Sequence, residues 1–281
     1  MSSIDALRKK FHRRVCRESI FLKSSRTPSI ADTSSKLSAE VSKDIFRAIG
    51  LPVSTSNIEG QTAGKNFELA TMEFIEASIA LLSHLRPAQW IYSVHNDISQ
   101  FVQYAHLADL KSLVNNNKEA LTALGDYVFN PDVVVARKPL SDNEINARQN
   151  LVRAGSYPKL SPLRGLNQAE EKPLLHASIS CKLTLRSDRS QNARTEGLNL
   201  IRNRKGHTPH IAVVTAEPMP TRLASLAHGT GDIDCVYHFA LDELVQAVKA
   251  SKNEAALDSL LPLIDGKRLR DIADLPFDLV A

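Results

Sequence analysis

Asp132, Lys182 and Glu196 are, in chain order, an acid, an amine and a second acid, a set suited to phosphodiester hydrolysis. Asp132 opens "DVVVAR", a β-branched run that predicts a short strand. Lys182 lies near the end of a longer strand-like run, "LLHASISCKLTL". Alternation puts Ser178, Ser180 and Lys182 on one face of that strand and Ala177, Ile179, Cys181 and Leu183 on the other. A lysine beside serines is unusual on a core strand. Glu196 comes fourteen residues after Lys182, in a polar stretch that predicts a helix. A strand–turn–helix unit folds its helix back over the sheet, which carries Glu196 toward Asp132 and Lys182. Mg²⁺ takes carboxylate oxygens and keeps several waters. One such ion together with Lys182 positions and activates an attacking water, and a second stabilises the departing 3′ oxygen. Two Mg²⁺ per site are therefore expected.

Each residue also has a plainer reading. An Asp after Pro131 is ordinary turn chemistry, and a helix Glu among arginines is ordinary surface pairing. What sets the residues apart is a shared skeleton. An Asp stands on one strand and a Lys on another, two residues past a position that is acidic in the PD…(D/E)xK arrangement. Here Ser180 fills that position, and Glu196 is the candidate for the displaced carboxylate.

Charge gathers around the same segment. The chain carries a net +4, while Cys181–Arg222 alone holds eight Lys and Arg against three Asp and Glu. A local positive field of this kind suits a phosphate backbone, although a solvated helix face gives the same count.

The elements that must position these residues are α/β in character. Residues 1–20 predict a short basic helix and 23–38 a Ser/Thr-rich loop. "EVSKDIFRAIGL" predicts a helix that stops at Gly50. "EGQTAGKNFELATMEFIEASIALLSHL" begins as a loop and becomes a long helix, with Phe67, Ala70, Phe74, Ala77 and Leu81 spaced by three and four. "AHLADLKSLVNNNKEALTALG" continues helical. Residues 139–173, with four prolines and two glycines, form an excursion with room for one helix. "HIAVVTAEP" and "CVYHFAL" are strands; "DELVQAVKAS" and "EAALDSLLPLI" are helices. No repeat or linker interrupts the order, so residues 1–281 are expected to form one domain. The three cysteines, Cys16, Cys181 and Cys235, include no close pair, which argues against a disulfide framework or a thiolate metal site and for a cytoplasmic protein. No apolar run approaches the roughly 18 residues that span a bilayer, and the basic N-terminus lacks the apolar core of a secretory signal.

The segments "HASISCK", "RSDRSQNARTEGLNLIRNRKGHTPHI", "VVTAEP" and "GTGDIDCVYHFAL", with "GQTAGKNFE" and "YAHL" earlier, carry a resemblance. On them the chain closely resembles the CCGG family of type II restriction endonucleases, within the PD-(D/E)xK superfamily. The resemblance covers nearly the whole chain and is densest from Leu174 to Leu241. Residues 139–173 and 92–101 match least. It implies the restriction-endonuclease-like fold, a central mixed β-sheet flanked by α-helices. It implies a metal site built from Asp132, Ser180, Cys181, Lys182 and Glu196, with Asp132, Glu196 and the backbone carbonyl of Cys181 as ligands. Glu68 would be a further acid at the edge; on its own it is a helix N-terminal charge favoured by the macrodipole.

The resemblance also makes "RSDR" the reader of a central CCGG. Arginine forks donate to guanine O6 and N7, and a carboxylate accepts from cytosine N4, so Arg186 and Arg189 take the guanines and Asp188 the cytosines, with Ser187 among them. Asp32 and Arg222 would read an outer G·C pair, and Gln61 would reach the minor groove. Alone, Asp32 is a turn residue and Arg222 a surface arginine in a Pro-flanked loop. The implied activity is Mg²⁺-dependent double-strand cleavage at GCCGGC after the first G, leaving 5′-CCGG overhangs. The implied partners are double-stranded DNA and a cognate DNA methyltransferase. A palindrome requires at least a dimer, and the resemblance implies a homotetramer, a dimer of dimers. A non-cleaving sequence-specific DNA-binding protein would not need Asp132, Lys182 and Glu196 together. A repair nuclease would not need "RSDR" beside them. His176 and His238 fall in strands and read as packing residues, and "HGTGD" is a turn, since no P-loop lysine follows it.

Overall fold

The computed structural model describes residues 2–114, 129–166, 171–229 and 231–281, without the side chains of 110, 111, 113, 114 and 187. The helix expected through residue 125 and the middle of "HGTGD" therefore lie partly outside the described residues.

Among the described residues six strands stand side by side in chain order: β1 (Trp90–Val94), β2 (Val133–Arg137), β3 (Leu174–Lys182), β4 (His210–Thr215), β5 (Cys235–His238) and β6 (Leu269–Asp271). The pairs β1–β2 and β2–β3 are antiparallel, and β3 through β6 are parallel. The sheet is mixed, as expected. The helices are α1 (Ser3–Glu18), α2 (Lys36–Ile49), α3 (Gly60–Leu81), α4 (His106–Val114), α5 (Asp142–Ile145), α6 (Ser187–Asn203), α7 (Pro220–Ala227), α8 (Leu241–Ala250), α9 (Glu254–Asp265) and α10 (Leu275–Val280). Parallel neighbours need crossovers: α6 joins β3 to β4, α7 joins β4 to β5, and α8 with α9 joins β5 to β6.

Two cores lie against the sheet. The larger gathers α1, α2, α3 and α7 to α10 with Val133, Val135, Ala177 and Ile179. The smaller packs Ile98, Phe101, Tyr104, Leu107 and Leu200 of α6 on Val134, Ala136 and Leu175. The β2–β3 register shifts by one at Val135/Ala136, opposite Ala177 and Leu175. His176 is the extra residue, so Leu175 and Ala177 fall in different cores although they are two apart.

The sequence predicts four strands. β1 and β6 are additional, and neither offers the usual signal: β1 is half-buried at every position, and β6 is three residues long. Helix α3 begins at Gly60 without a side-chain cap, so "GQTAG", expected as a loop, is its opening turn. Arg222 is not in a loop. Pro220 starts α7, the position where a missing N–H costs nothing, and Arg222 sits in its first turn. Among the described residues the excursion at 139–173 contains one helical turn, α5, closed by a capping box between Ser141 and Glu144. Among the described residues no helix is long and apolar enough to cross a membrane.

Candidate active site

Asp132 immediately precedes β2, whose Val133 pairs with Ile179, so its carboxylate lies alongside the last residues of β3. Its Oδ2 accepts from the Cys181 N–H at 2.7 Å and from Lys182 Nζ at 2.7 Å, with Ser180 Oγ at 3.4 Å. The Asp132 and Lys182 side chains are 15% and 16% exposed, enough to meet a ligand and too little for bulk water to screen them. The Cys181 side chain turns into the larger core, as the strand alternation predicts, and leaves its backbone at the site.

Glu196 arrives on α6, half-buried. It interacts with Lys182 and Asp132, and the Ser180 hydroxyl is its hydrogen-bond partner. Ser180 therefore stands between two carboxylates and serves one at a time. The next residue, Gly197, explains how α6 comes close: a Cβ there would lie 2.4 Å from the backbone oxygen of Asp232, so only glycine lets the helix seat on this loop. Arg194 ties the same helix to α7 by donating to the carbonyls of Ser225 (2.6 Å) and Leu226 (3.2 Å).

Burial raises the pKa of Glu196, and Asp132 adds to the shift while Lys182 and Ser180 oppose it. Burial also raises that of Glu68, again with Asp132 adding and His95 and Lys182 opposing. Burial disfavours the Lys182 ammonium, but Asp132 and Glu196 outweigh it and hold its pKa above the ordinary value. Burial and the neighbouring Asp132 thus both oppose ionisation of Glu196 and Glu68, while Lys182 favours it. Glu68 lies on α3, 9% exposed. Its Oε2 is 2.9 Å from His95 Nε2, a neighbour that the sequence does not announce. His95 follows β1 in the left-handed region, φ 55°, and its N–H donates to the carbonyl of Pro131 at 3.2 Å, next to Asp132.

Among the described residues no three His, Cys, Asp or Glu side chains form a cage for a metal. Mg²⁺ does not need one, since it binds through one or two carboxylates, waters and substrate phosphate. Asp132 and Glu196, partly buried on either side of Ser180 and short of neutralising partners other than Lys182, fit such an ion.

The residues expected to read bases sit where β3 hands over to α6. Arg186 is the extended N-cap of α6 (φ −76°, ψ 160°), and Asp188 is in its first turn. Arg186, Asp188 and Arg189 are exposed, and Arg189 Nη1 donates to Thr184 Oγ1 at 3.0 Å. The side chain of Ser187 lies outside the described residues. Asp32 and Arg222, 190 residues apart, form a hydrogen-bonded ion pair. Asp32 also accepts from the Ser34 hydroxyl at 2.7 Å, and Ser34 with Arg222 keeps its pKa below the usual carboxylate range. Gln61 is exposed in the first turn of α3. The structure thus brings Asp132, Ser180, Cys181, Lys182, Glu196 and Glu68 together and sets the "RSDR" residues on the helix that carries Glu196. Asp32 and Arg222 form a separate pair.

The profile of the family described as NgoMIV restriction enzyme matches residues 11–281. The chain belongs to the NgoMIV restriction enzyme family. It is 44% identical over 281 residues to the type II restriction enzyme NgoMIV of Neisseria gonorrhoeae, covering 97% of this chain and 96% of that one. Like NgoMIV, the chain is a type II restriction endonuclease, a nuclease that acts on DNA. A non-cleaving binding protein and a repair nuclease are thereby set aside. Two solved structures share similarity at 16% identity. The Bse634I restriction endonuclease has a TM-score of 0.36, covering 73% of this chain and 80% of that one. Type IIF Bse634I with cognate DNA has a TM-score of 0.34, with 85% and 82% covered.

Proposed function

We propose that this NgoMIV-family enzyme cuts duplex DNA at GCCGGC after the first G, with Mg²⁺, leaving 5′-CCGG overhangs, a 5′ phosphate and a 3′ hydroxyl. The observation that carries the reading is the convergence of Asp132, at the start of β2, with Lys182 and Glu196 of the β3–α6 unit, which also carries Arg186, Asp188 and Arg189. Asp132, Glu196 and the backbone carbonyl of Cys181 would hold the metal, two ions per site, with Ser180 orienting the carboxylates and Glu68 closing the edge. Bound Mg²⁺ supplies Lewis-acid stabilisation and a more acidic water. Lys182, kept protonated by Asp132 and Glu196, donates hydrogen bonds to the attacking water or to a phosphate oxygen. The exposed Arg186 and Arg189 take guanine edges and Asp188 takes cytosine N4, with Ser187 at the same turn. Arg222 and Asp32 read the outer pair and Gln61 enters the minor groove.

A palindromic site calls for two-fold symmetry, and we read the assembly as a dimer of dimers. The excursion after β2 supports this, because Leu151, Tyr157, Leu160, Leu163 and Leu166 are all exposed there, and apolar side chains gathered on one exposed segment favour a partner surface. A cognate methyltransferase would protect the host site, and the cytoplasm suits three free, buried cysteines. The test is direct. Plasmid carrying one GCCGGC is incubated with protein and Mg²⁺ and its ends are sequenced. A single break between the first G and the C after it on each strand supports the reading, and ends elsewhere overturn it.

A further inference from the structure

Glu217 belongs to none of these sets, yet it touches both reading elements. It follows β4, fully buried at 0% exposure. One carboxylate oxygen, Oε2, accepts the N–H of Leu185 at 2.7 Å. The other, Oε1, accepts the N–H of Met219 at 3.1 Å and lies 3.7 Å from Arg222 Nη1. Leu185 directly precedes Arg186, the N-cap of α6, and Met219 is the N-cap of α7. One buried carboxylate therefore holds the starting points of two helices. The first turn of one carries Asp188 and Arg189, and that of the other carries Arg222. Its own N–H donates to Thr215 Oγ1 at 3.2 Å, and Thr215 pairs in register with Lys182, so the anchor is the strand beside the catalytic cluster.

We propose that Glu217 is a positioning residue that fixes the inner readers and the outer reader relative to one another, so that the six base pairs are read as one unit. This rests on the assignment of Arg186, Asp188, Arg189 and Arg222 as base readers. A buried carboxylate is costly to desolvate, and a neutral side chain of the same shape cannot replace it. In Glu217→Gln, one of the two backbone N–H groups would face an NH₂ instead of an oxygen. Rearrangement at either helix start then shifts both sets of readers.

The experiment measures binding in Ca²⁺ to GCCGGC, to duplexes changed only at the outer pair, to duplexes changed only in the central CCGG, and to unrelated duplex. Glu217→Gln is expected to shrink both the outer and the central preference by about tenfold or more, while affinity for unrelated duplex stays at the wild-type level. Unchanged preferences overturn the proposal, and so does loss of the outer preference alone, which would make Glu217 a partner of Arg222 only. A double-mutant cycle of Arg186→Ala and Arg222→Ala, with Glu217 intact, covers the case of a variant that does not fold. Coupled readers give non-additive effects on binding, by about threefold or more, and additive effects overturn the coupling. Wild-type protein without preference for CCGG would overturn the base-reader assignment itself, a result distinct from a wild-type preference that Glu217→Gln leaves intact.

Discussion

Lys182 and Asp132 are 50 residues apart in the chain, and their charged groups are 2.7 Å apart in the fold. The contact follows from the antiparallel register of β2 on β3, Val133 on Ile179, which sets Asp132 beside the end of β3. Asp132→Ala and Glu196→Ala are each expected to abolish cleavage and to keep specific binding, because the exposed "RSDR" residues are untouched. Lys182→Ala is expected to lower the cleavage rate by about 10²–10³. Single-turnover cleavage in Mg²⁺ and gel shift in Ca²⁺ measure the two properties separately. Loss of specific binding in Asp132→Ala would count against the assignment.

The Asp32–Arg222 pair makes a different demand. In the protein alone these side chains satisfy each other, so on the proposed assignment reading a base pair would exchange this ion pair for contacts to G and C. Arg222→Ala is expected to weaken discrimination at the outer pair by roughly 1–3 kcal/mol per half-site and to lower the central preference only by the roughly threefold coupling between the readers. Arg186→Ala should remove the central preference instead. Binding to duplexes that differ at one pair at a time decides between these outcomes.

Gly197 offers a test of how Glu196 is held. Gly197→Ala places a methyl 2.4 Å from the Asp232 carbonyl oxygen, so α6 or the 228–232 loop must move. Overpacking of this kind costs about 1–3 kcal/mol of stability. A shift of about 1 Å at Glu196 costs on the order of a hundredfold in rate. Thermal unfolding and cleavage rate are expected to fall together, with the rate falling far more than the variant's folded fraction.

Two buried histidines set a pH window for stability. Burial lowers both His176 and His238 to about 4 from 6.5. His176 donates from Nε2 to the Leu279 carbonyl at 2.7 Å, and His238 Nδ1 accepts from the Ala240 N–H at 3.2 Å; both are neutral when folded. Between those pH values the unfolded chain binds protons that the folded chain does not. The stability they contribute is complete above pH 6.5 and lost as pH falls toward 4, on the order of 3 kcal/mol each. The carboxyls of Glu68, Glu196 and Glu217, raised by burial, act in the opposite sense, so a difference measurement is needed. Urea unfolding of wild type and His176→Phe across this window should show a shallower pH slope in the variant.

The excursion gives a prediction about assembly. Tyr157 and Leu160 are 100% and 97% exposed. Tyr157→Ser with Leu160→Ser is expected to reduce a tetramer to a dimer in light scattering, with cleavage becoming equal on one-site and two-site plasmids. An unchanged tetramer would place its contacts elsewhere.

Much of this arrangement can be read along the chain. The alternation of Ser178, Ser180 and Lys182 against Ala177, Ile179 and Cys181 places the lysine and turns the cysteine inward. The handover at Arg186 is visible as a strand that ends in a charged helix. What escaped has physical reasons. β1 is half-buried along its length and shows no period. α3 opens on "GQTAG", whose glycines imitate a loop. His95 reaches Glu68 only because a turn in the left-handed region swings it there, and Glu217 works through backbone N–H groups, which leave no mark on side-chain patterns. Asp32 and Arg222 meet across 190 residues, a separation that no local spacing encodes.

Helix α6 bears Arg189 in its first turn and Glu196 seven residues later. At 100° and 1.5 Å per residue these two lie on the same side of a rod, about 10 Å apart. A stiff rod is a lever. Wrong base edges at its tip that tilt it by about 10° move Glu196 by about 2 Å, further than the chemistry tolerates. On the proposed assignment, fidelity would then reside in the turnover of bound DNA as well as in its capture: a near-cognate sequence could be held and still left whole.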